Sequence, residues 1–326
     1  MSNLGEMGEF GFIQYIRDRV NTPESVIKGI GDDCAVLRVG EQQLLISCDI
    51  STQDVHFRRG WPTHAIGYKA AAAALSDIAA MGGHAQWMLV SVSVPPVLEP
   101  EFLEEVMEGI QDAAGSAGAA IVGGDTTRSR TTLMFDIIVL GLPHQGRCLY
   151  RNGARPGDVL AVTGFPGVAA AGLHAVEHGQ KAGTLIDRLW YPVPRLEEGR
   201  WLTERTAVHA MIDVSDGVVQ DAGHIGEESG VGIALQSALI PVDDIMHRYA
   251  DAAGQNPTTW SLSGGEDFEL LVAIEEASFA GIQQEFQARF HLPLTRIGEC
   301  TGEAGALTVD GAPPVSTGFD HFRDES

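Results

Sequence analysis

The chain has 326 residues, 44% of them hydrophobic, which is enough for the core of one large or two ordinary globular domains. Its 44 Asp and Glu residues outnumber 21 Lys and Arg, and the resulting net charge of −23 repels nucleic-acid phosphates and anionic membranes. Four scattered cysteines, no signal-peptide pattern and no long apolar run predict a reduced, cytoplasmic protein with neither nucleic acid nor membrane as partner.

The first half of the chain predicts alternating strands and helices. Apolar runs rich in β-branched residues predict strands at 44–46, 87–94, 119–122 and 133–142. Helical apolar spacing predicts helices at 63–81 and 99–117, and Gly82 with Gly83 is expected to end the first of these.

Two acidic motifs lie in the first 60 residues. GIGDD presents Asp32 and Asp33 after two glycines, either as a metal ligand or as an ordinary Gly-Asp turn. In the strand LLISCD, alternation puts Ser47 and Asp49 on one face, which makes Asp49 a metal candidate. His56 follows, with contact to an anionic substrate and an ordinary surface position as equal alternatives.

The helix at 68–81 is apolar on nearly every side, so Asp77 within it is expected to be a buried carboxylate. Such a group needs a cation or good hydrogen-bond donors, and metal binding is favoured. The alternative is a salt bridge to Lys69, which lies eight residues earlier, roughly 12 Å along the helix axis.

The motif IVGGDTT is expected to end a strand at Gly123 and Gly124, where Asp125 and its hydroxyl neighbours would meet phosphate and metal. A hairpin turn is the alternative. Pro and Gly then interrupt the pattern, which predicts domains at 1–142 and 158–326, joined by a linker at 143–157.

The second half predicts a fresh αβ series. Strands are expected at 158–164 and near 209–214, 231–236, 268–274 and 296–300. Helices are expected near 167–178, 195–206, 217–229 and 278–290.

Two acidic motifs belong to this second series. In DVSDG, Asp213 and Ser215 share a strand face, while Asp216 is either a ligand or a helix N-cap. In SGGED, either Glu266 or Asp267 is suited to a cationic substrate, with a plain glycine loop as the alternative.

Several well-defined catalytic motifs are missing from the sequence. It contains no GxGxxG, no GxxxxGK[ST], and no HExxH, GxSxG or kinase-type HRD signature. The repeated Gly-acid motifs therefore favour phosphate chemistry on Mg²⁺.

Eight motifs occur in the order found in the thiamine-monophosphate kinase family, within the superfamily of aminoimidazole-ribonucleotide synthetase-like ATP enzymes. They are GIGDDCAVL, LLISCDISTQDVHF, KAAAAALSDIAAMGG, IVGGDTT, RNGARPGDVLAVTG, IDVSDG, LSGGEDFELL and GFDHF. The resemblance implies an α/β protein of the α+β type, with two αβ domains and an active site between them. It also implies an N-terminal mixed sheet that forms a homodimer interface.

The resemblance further implies direct in-line transfer of the γ-phosphoryl group of ATP to thiamine phosphate. Several Mg²⁺ ions are implied as cofactors, with a monovalent cation as a further candidate. The implied metal ligands are Asp33, Ser47, Cys48, Asp49, Asp77, Asp125, Asp213 and Asp216. The implied nucleotide contacts are Gly124, Asp125, Arg151 and Ser215. The implied substrate contacts are His56, Glu266 and Phe319, and the residues expected to be catalytic are Asp49, Asp125 and Asp213.

Three positions depart from the family pattern: Cys48 replaces Thr, Ala74 replaces Asn, and Phe319 replaces Tyr. They leave two alternatives open. One is another enzyme of the superfamily, such as a selenophosphate synthetase or an amidine-forming ligase, although no cysteine precedes Cys34. The other is a catalytically silent nucleotide-binding paralogue.

Overall fold

The computed structural model describes residues 4–316 and 318–322. In chain order the strands are β1 (Val26–Lys28), β2 (Ala35–Val39), β3 (Gln42–Thr52), β4 (Gly83–Val94), β5 (Ala120–Arg128), β6 (Met134–Pro143), β7 (Val159–Thr163), β8 (Val208–Asp213), β9 (Gly232–Leu235), β10 (Leu270–Ile274), β11 (Leu294–Thr301) and β12 (Leu307–Val309). The α-helices are α1 (Leu4–Arg17), α2 (Thr63–Ala80), α3 (Pro100–Ser116), α4 (Val168–Glu177), α5 (Gly183–Trp190), α6 (Leu196–Thr203), α7 (Val218–Ser229), α8 (Asp244–Ala253), α9 (Pro257–Ser263) and α10 (Glu276–Phe290).

Two six-stranded mixed sheets form the framework, one from each half of the chain. The first has the order β1-β2-β3-β6-β4-β5, with only β4 and β5 parallel. The second has the order β12-β9-β11-β7-β10-β8, with only β12 and β9 parallel. The predicted class, two αβ domains, is confirmed, while the limits 1–142, 143–157 and 158–326 stay predictions.

The largest hydrophobic core is continuous between the two sheets. It joins Val36 and Phe135 of the first sheet with Met211 and Val272 of the second. A second core covers the opposite face of the second sheet, where alternate residues such as Ile212 lie. Because the main core is shared, side chains from both halves meet at fixed positions.

Most predicted elements are confirmed. Gly82 ends α2 as expected, since it follows the C-cap Met81 with φ +64°, while Gly83 already begins β4. One prediction at glycines is wrong. Strand β5 does not end at its glycines, because Gly124 pairs with Val90 of β4 and the ladder continues to Arg128. The sequence did not predict α1, α5, α8, α9, β1 or β12.

Helix α2 lies against α3, the first sheet, α6 and β8, and is buried on nearly every side. Helix α2 approaches α3 closely because both helices have a glycine at their crossing. A Cβ at Gly67 would lie 1.9 Å from the carbonyl oxygen of Val106, and one at Gly109 would lie 1.9 Å from that of His64. The close crossing holds α2, and with it Asp77, between the two halves of the chain. Within the described residues, no helix is both long and apolar enough to cross a membrane.

We expect Gly109→Ala to lower the free energy of unfolding by about 1–3 kcal/mol, because the new methyl group would push α3 away from α2. The matched control is Gly115→Ala on the same helix, where a Cβ meets nothing within 4 Å. That control should be neutral or stabilising by up to about 1 kcal/mol. Urea unfolding of both variants checks this, and equal stabilities would contradict the packing argument.

Candidate active site

Three buried or half-buried carboxylates converge where the two halves of the chain meet. Asp33 precedes β2, Asp77 lies near the end of α2, and Asp213 ends β8. One oxygen from each lies within 4.8 Å of the others. We call these residues the carboxylate triad. Its three members were all predicted as metal ligands, and oxygen-only donors at this spacing suit a hard divalent cation.

Two hydroxyls and one guanidinium hold the triad in place. Ser47 donates to Asp77 Oδ2, and Ser76 donates to Asp213 Oδ2 at 2.6 Å. Arg151 donates through Nε at 3.1 Å and Nη2 at 2.7 Å, both to Asp33 Oδ1. Asp33 Oδ2 is buried and has no hydrogen-bond partner among the described residues. A buried carboxylate oxygen of this kind is an acceptor that a bound cation would satisfy.

The triad is electrostatically costly without a cation. Burial raises the pKa of Asp33 to about 6, against the opposing effect of Arg151, and it also raises the pKa of Asp213 to about 6. Burial, followed by repulsion from Asp213 and Asp33, raises the pKa of Asp77 well above its usual value. A bound divalent cation would favour the ionised form of all three.

Strand β3 presents its residues to the site as period-2 alternation predicts. Ser47 and Asp49 face the triad side, and burial followed by the charge of Glu266 raises the pKa of Asp49 to about 6. The exposed Cys48 side chain lies on the opposite face, where its Sγ donates to Asp136 Oδ1 at 3.1 Å. A metal role for Cys48 is therefore restricted to its backbone carbonyl and stays a prediction.

The neighbouring Asp32 is held by other groups. Its carboxylate lies 3.0 Å from Lys28 Nζ and accepts from the Arg151 backbone N–H at 3.2 Å. The turn thus directs Asp33, and not Asp32, into the triad.

A second group of potential ligands, which the sequence did not reveal as a set, lies at the start of α7. Asp216, Asp221 and His224 each offer one atom within 4.8 Å of the others. Asp221 accepts from the backbone N–H groups of Asp216 at 3.3 Å and Gly217 at 3.1 Å, so it satisfies the helix start. The N-cap alternative for Asp216 is wrong, since Gly217 holds that position. The sequence signal for this group was the three-residue spacing of Asp221 and His224, which places both side chains on one face of a helix.

The predicted substrate residues approach one another around His321. The ring of His321 is 5.1 Å from that of His56 and 4.8 Å from that of Phe319. His56 Nδ1 accepts from the Thr52 backbone N–H at 3.0 Å, which leaves its proton on Nε2, and burial lowers the pKa of His56. His321 belongs to the motif GFDHF, but no substrate role was predicted for it.

The two acids of SGGED separate into different roles. Glu266 Oε2 accepts from Lys69 Nζ at 2.6 Å, so the alternative that paired Lys69 with Asp77 is wrong. Asp267 accepts from the backbone N–H groups of Gly167 at 2.5 Å and Ala169 at 3.0 Å, where it stabilises the start of α4. Glu266 therefore remains the acid available to a substrate.

Three predicted nucleotide contacts have other roles in this structure. Gly124 lets β5 approach β4, since a Cβ there would lie 1.8 Å from the Val90 carbonyl oxygen. Asp125 is exposed on the same strand, and none of the contacts described for this chain joins it to the triad. Ser215 accepts the Glu266 backbone N–H at 2.8 Å through its carbonyl. Their binding roles stay predictions.

A cavity of about 840 Å³ extends along α7 beside the second ligand group. Its lining includes Phe10, Gly223, His224 and Phe319. The cavity joins the carboxylate end of α7 to the amino- and carboxyl-terminal segments of the chain.

Comparison with known proteins gives matches along nearly the whole chain. A model of the AIR synthase related protein, N-terminal domain, matches residues 31–142, and that of the C-terminal domain matches residues 155–310. Thiamine-monophosphate kinase of Escherichia coli strain K12 is 36% identical, covering 97% of this chain and 98% of its own length. The same enzyme of Aquifex aeolicus is 32% identical, covering 98% and 99%.

Solved structures match the fold closely. AaThiL complexed with AMPPCP and TMP has a TM-score of 0.87 at 30% identity, covering 98% of this chain and 99% of that chain. Hydrogenase maturation protein HypE in complex with ATP has a TM-score of 0.67 at 19% identity, covering 82% and 81%, a likeness of fold alone.

We expect Asp77→Asn to stabilise the metal-free protein at pH 8. The raised pKa means that the folded state keeps a proton on Asp77 after the unfolded state has lost it, so stability falls as pH rises from about 4 through the raised value. The asparagine side chain has no carboxyl group to ionise, so the variant does not lose stability in this way as pH rises. Thermal unfolding in EDTA should show a higher Tm for the variant at pH 8, with the difference shrinking toward pH 5.

With magnesium present, the wild type should have the higher Tm at pH 8. Magnesium stabilises the ionised triad of the wild type and binds the variant more weakly. The exposed Asp187→Asn on α5 is the matched control and should follow the wild type. An Asp77→Asn protein less stable than the wild type in EDTA at pH 8 would contradict the account.

Proposed function

The chain belongs to the AIR synthase related family, and within it to the thiamine-monophosphate kinases, and we propose that it transfers the γ-phosphoryl group of ATP to thiamine phosphate. The products are thiamine diphosphate and ADP. The observation that carries this proposal is the carboxylate triad, which both halves of the chain supply and whose oxygen donors suit divalent cations.

The residues present fit several Mg²⁺ ions. Asp33, Asp77 and Asp213 would hold metal together with Ser47 and Asp49, because their oxygen donors share one buried region and, in the part of the chain that the structure describes, Asp33 Oδ2 has no partner. The remaining proposed ligands are Asp125, Asp216 and the backbone carbonyl of Cys48. Bound Mg²⁺ would neutralise and align the phosphate oxygens of both anionic reactants.

The nucleotide is proposed to contact Gly124, Asp125, Arg151 and Ser215. Arg151 supports this role best, because its Nε and Nη2 donate to Asp33 and Nη1 donates no hydrogen bond among the described residues. A guanidinium held in this way is oriented before a phosphate arrives. A monovalent-cation requirement also stays a proposal.

Thiamine phosphate is proposed to bind between His56, Glu266 and Phe319. The partly exposed carboxylate of Glu266 suits the cationic thiazolium, and the Phe319 ring suits its flat face. The lowered pKa of His56 keeps this residue neutral at pH 7, where its Nε2 proton can be donated to a phosphate oxygen. The acceptor phosphate is already ionised, so in-line transfer needs no strong general base.

The first sheet is proposed to form a homodimer interface. Its outer face carries exposed apolar side chains on two strands, with Ile50 of β3 47% exposed and Trp87 of β4 41% exposed. Leu140 of β6 pairs with Trp87 and extends the same patch. Contiguous apolar surface of this kind is typical of protein contacts. A cytoplasmic location stays a prediction.

We expect the purified protein to form thiamine diphosphate from ATP, Mg²⁺ and thiamine phosphate, but not from free thiamine. Asp213→Asn should lower kcat by about 100- to 1,000-fold, because it removes one charge that holds metal against the reacting phosphates. Product chromatography measures both results. Glu104→Gln, on the exposed face of α3, is the control and should keep wild-type activity.

ATP binding without phosphorylation of any acceptor would contradict the kinase and favour the silent paralogue. Wild-type turnover in Asp213→Asn would contradict the role of the triad.

We expect the wild type to be a dimer in solution and Ile50→Arg to be a monomer, because a guanidinium buried in the interface would lose hydration that its cross-strand neighbour Asp136 only partly replaces. Size-exclusion chromatography with light scattering checks this. Val193→Arg is the matched control, since Val193 is 56% exposed in the loop between α5 and α6. A monomeric wild type, or a dimeric Ile50→Arg variant, would contradict the proposed interface.

A further inference from the structure

Lys69 is a buried amine in the middle of the otherwise apolar helix α2. Only 5% of the residue is exposed. A lysine ammonium in such a place is costly unless a partner compensates its charge. The roles proposed above for the triad and the substrate residues do not use this lysine, so its burial calls for an explanation.

The partner of Lys69 is the acid proposed to receive the substrate. Its Nζ donates to Glu266 Oε2 at 2.6 Å and lies 5.3 Å from the centre of the Trp61 ring. The Lys69 side chain is 6% exposed, whereas that of Glu266 is 33% exposed. Lys69 therefore holds the carboxylate from the core side and leaves its other side toward solvent.

The backbone of Glu266 is fixed as firmly as its side chain. It has φ +64°, and its N–H donates to the Ser215 carbonyl oxygen at 2.8 Å. The preceding Gly265 packs so closely that a Cβ there would lie 2.2 Å from the same oxygen. The strained turn persists because both of its ends are anchored.

The charge of Glu266 acts on both Asp49 and His56. Of the charges around Asp49, that of Glu266 contributes most to its raised pKa, and Glu266 opposes the lowering of the pKa of His56. An unpaired Glu266 would add one more negative charge to this acidic region. The ammonium of Lys69 offsets this charge on the core side, at Oε2.

We infer that Lys69 is a positioning residue for thiamine phosphate, which it serves by fixing Glu266 Oε2 so that Oε1 faces the thiazolium. This inference rests on the proposed function. No hydrogen bond to Oε1 is present among the described residues, so that oxygen is available to a cation. Among the described residues, the contacts of Lys69 Nζ are to Glu266 and the Trp61 ring and not to the triad, so Lys69 acts through Glu266.

The test is steady-state kinetics of the full chain, at saturating Mg²⁺, on Lys69→Met, Glu266→Gln and the double variant. Lys69→Met should raise KM for thiamine phosphate by about 10- to 100-fold, with kcat and KM for ATP changing less than about 3-fold. In the Glu266→Gln background, the same substitution should raise KM by less than about 3-fold, because the carboxylate it positions is gone.

Lys181→Met is the matched control, since Lys181 is exposed before α5. It should leave every constant unchanged. Thermal unfolding of each variant distinguishes a positioning role of Lys69 from a purely structural one. A purely structural role would lower Tm without a selective rise in KM for thiamine phosphate.

Two results would overturn the inference: an unchanged KM in Lys69→Met, or an equal rise in KM with and without Glu266. A wild type that forms no thiamine diphosphate would instead contradict the proposed function. The assay of the wild type alone shows this, so the two failures are distinguishable.

Discussion

The clustering of three buried or half-buried carboxylates is the constraint on which the rest of this molecule depends. Asp33, Asp77 and Asp213 come from a turn, a helix and a strand end, and oxygens of all three lie within 4.8 Å. The fold supplies one guanidinium and two hydroxyls to the triad, and among the described residues Asp33 Oδ2 has no partner. The folded site is therefore electrostatically costly, and a bound divalent cation would offset that cost. Perturbed groups of this kind are typical of functional centres.

The shared core makes this arrangement possible. Glycines at the crossing of α2 and α3 keep α2 close to its neighbour, and the small residues of α2 let it lie between both sheets. Ser76 and Asp77 then face different partners, since Ser76 reaches Asp213 while Asp77 meets Ser47. The same helix carries Lys69 to Glu266, so one buried element connects the metal residues with the proposed substrate site.

The sequence predicted the parts of this site that follow from local rules. A carboxylate in an all-apolar helix is conspicuous, which identified Asp77, and strand alternation placed Ser47 with Asp49. Alternation also places Cys48 on the far face, where the structure has it, although the family resemblance alone had grouped it with the ligands. Gly124 misled the strand prediction, because its missing side chain serves pairing with β4 and not a turn.

Long-range pairings were beyond the sequence. Nothing local connects Lys69 with Glu266, nearly 200 residues apart, or brings His321 between His56 and Phe319. Asp221 and His224 resemble ordinary residues of an amphipathic helix until the fold brings them beside Asp216. Such contacts depend on how the two halves pack, which periodicity does not encode.

The central claim is that the triad is a divalent-cation site shared by both halves of the chain. Crystals grown with Mn²⁺ and a non-hydrolysable ATP analogue, measured at the manganese absorption edge, test it directly. We expect an anomalous peak at a position where the manganese ion is coordinated by oxygens of Asp33, Asp77 and Asp213. Well-ordered nucleotide with no peak at these three carboxylates would contradict it.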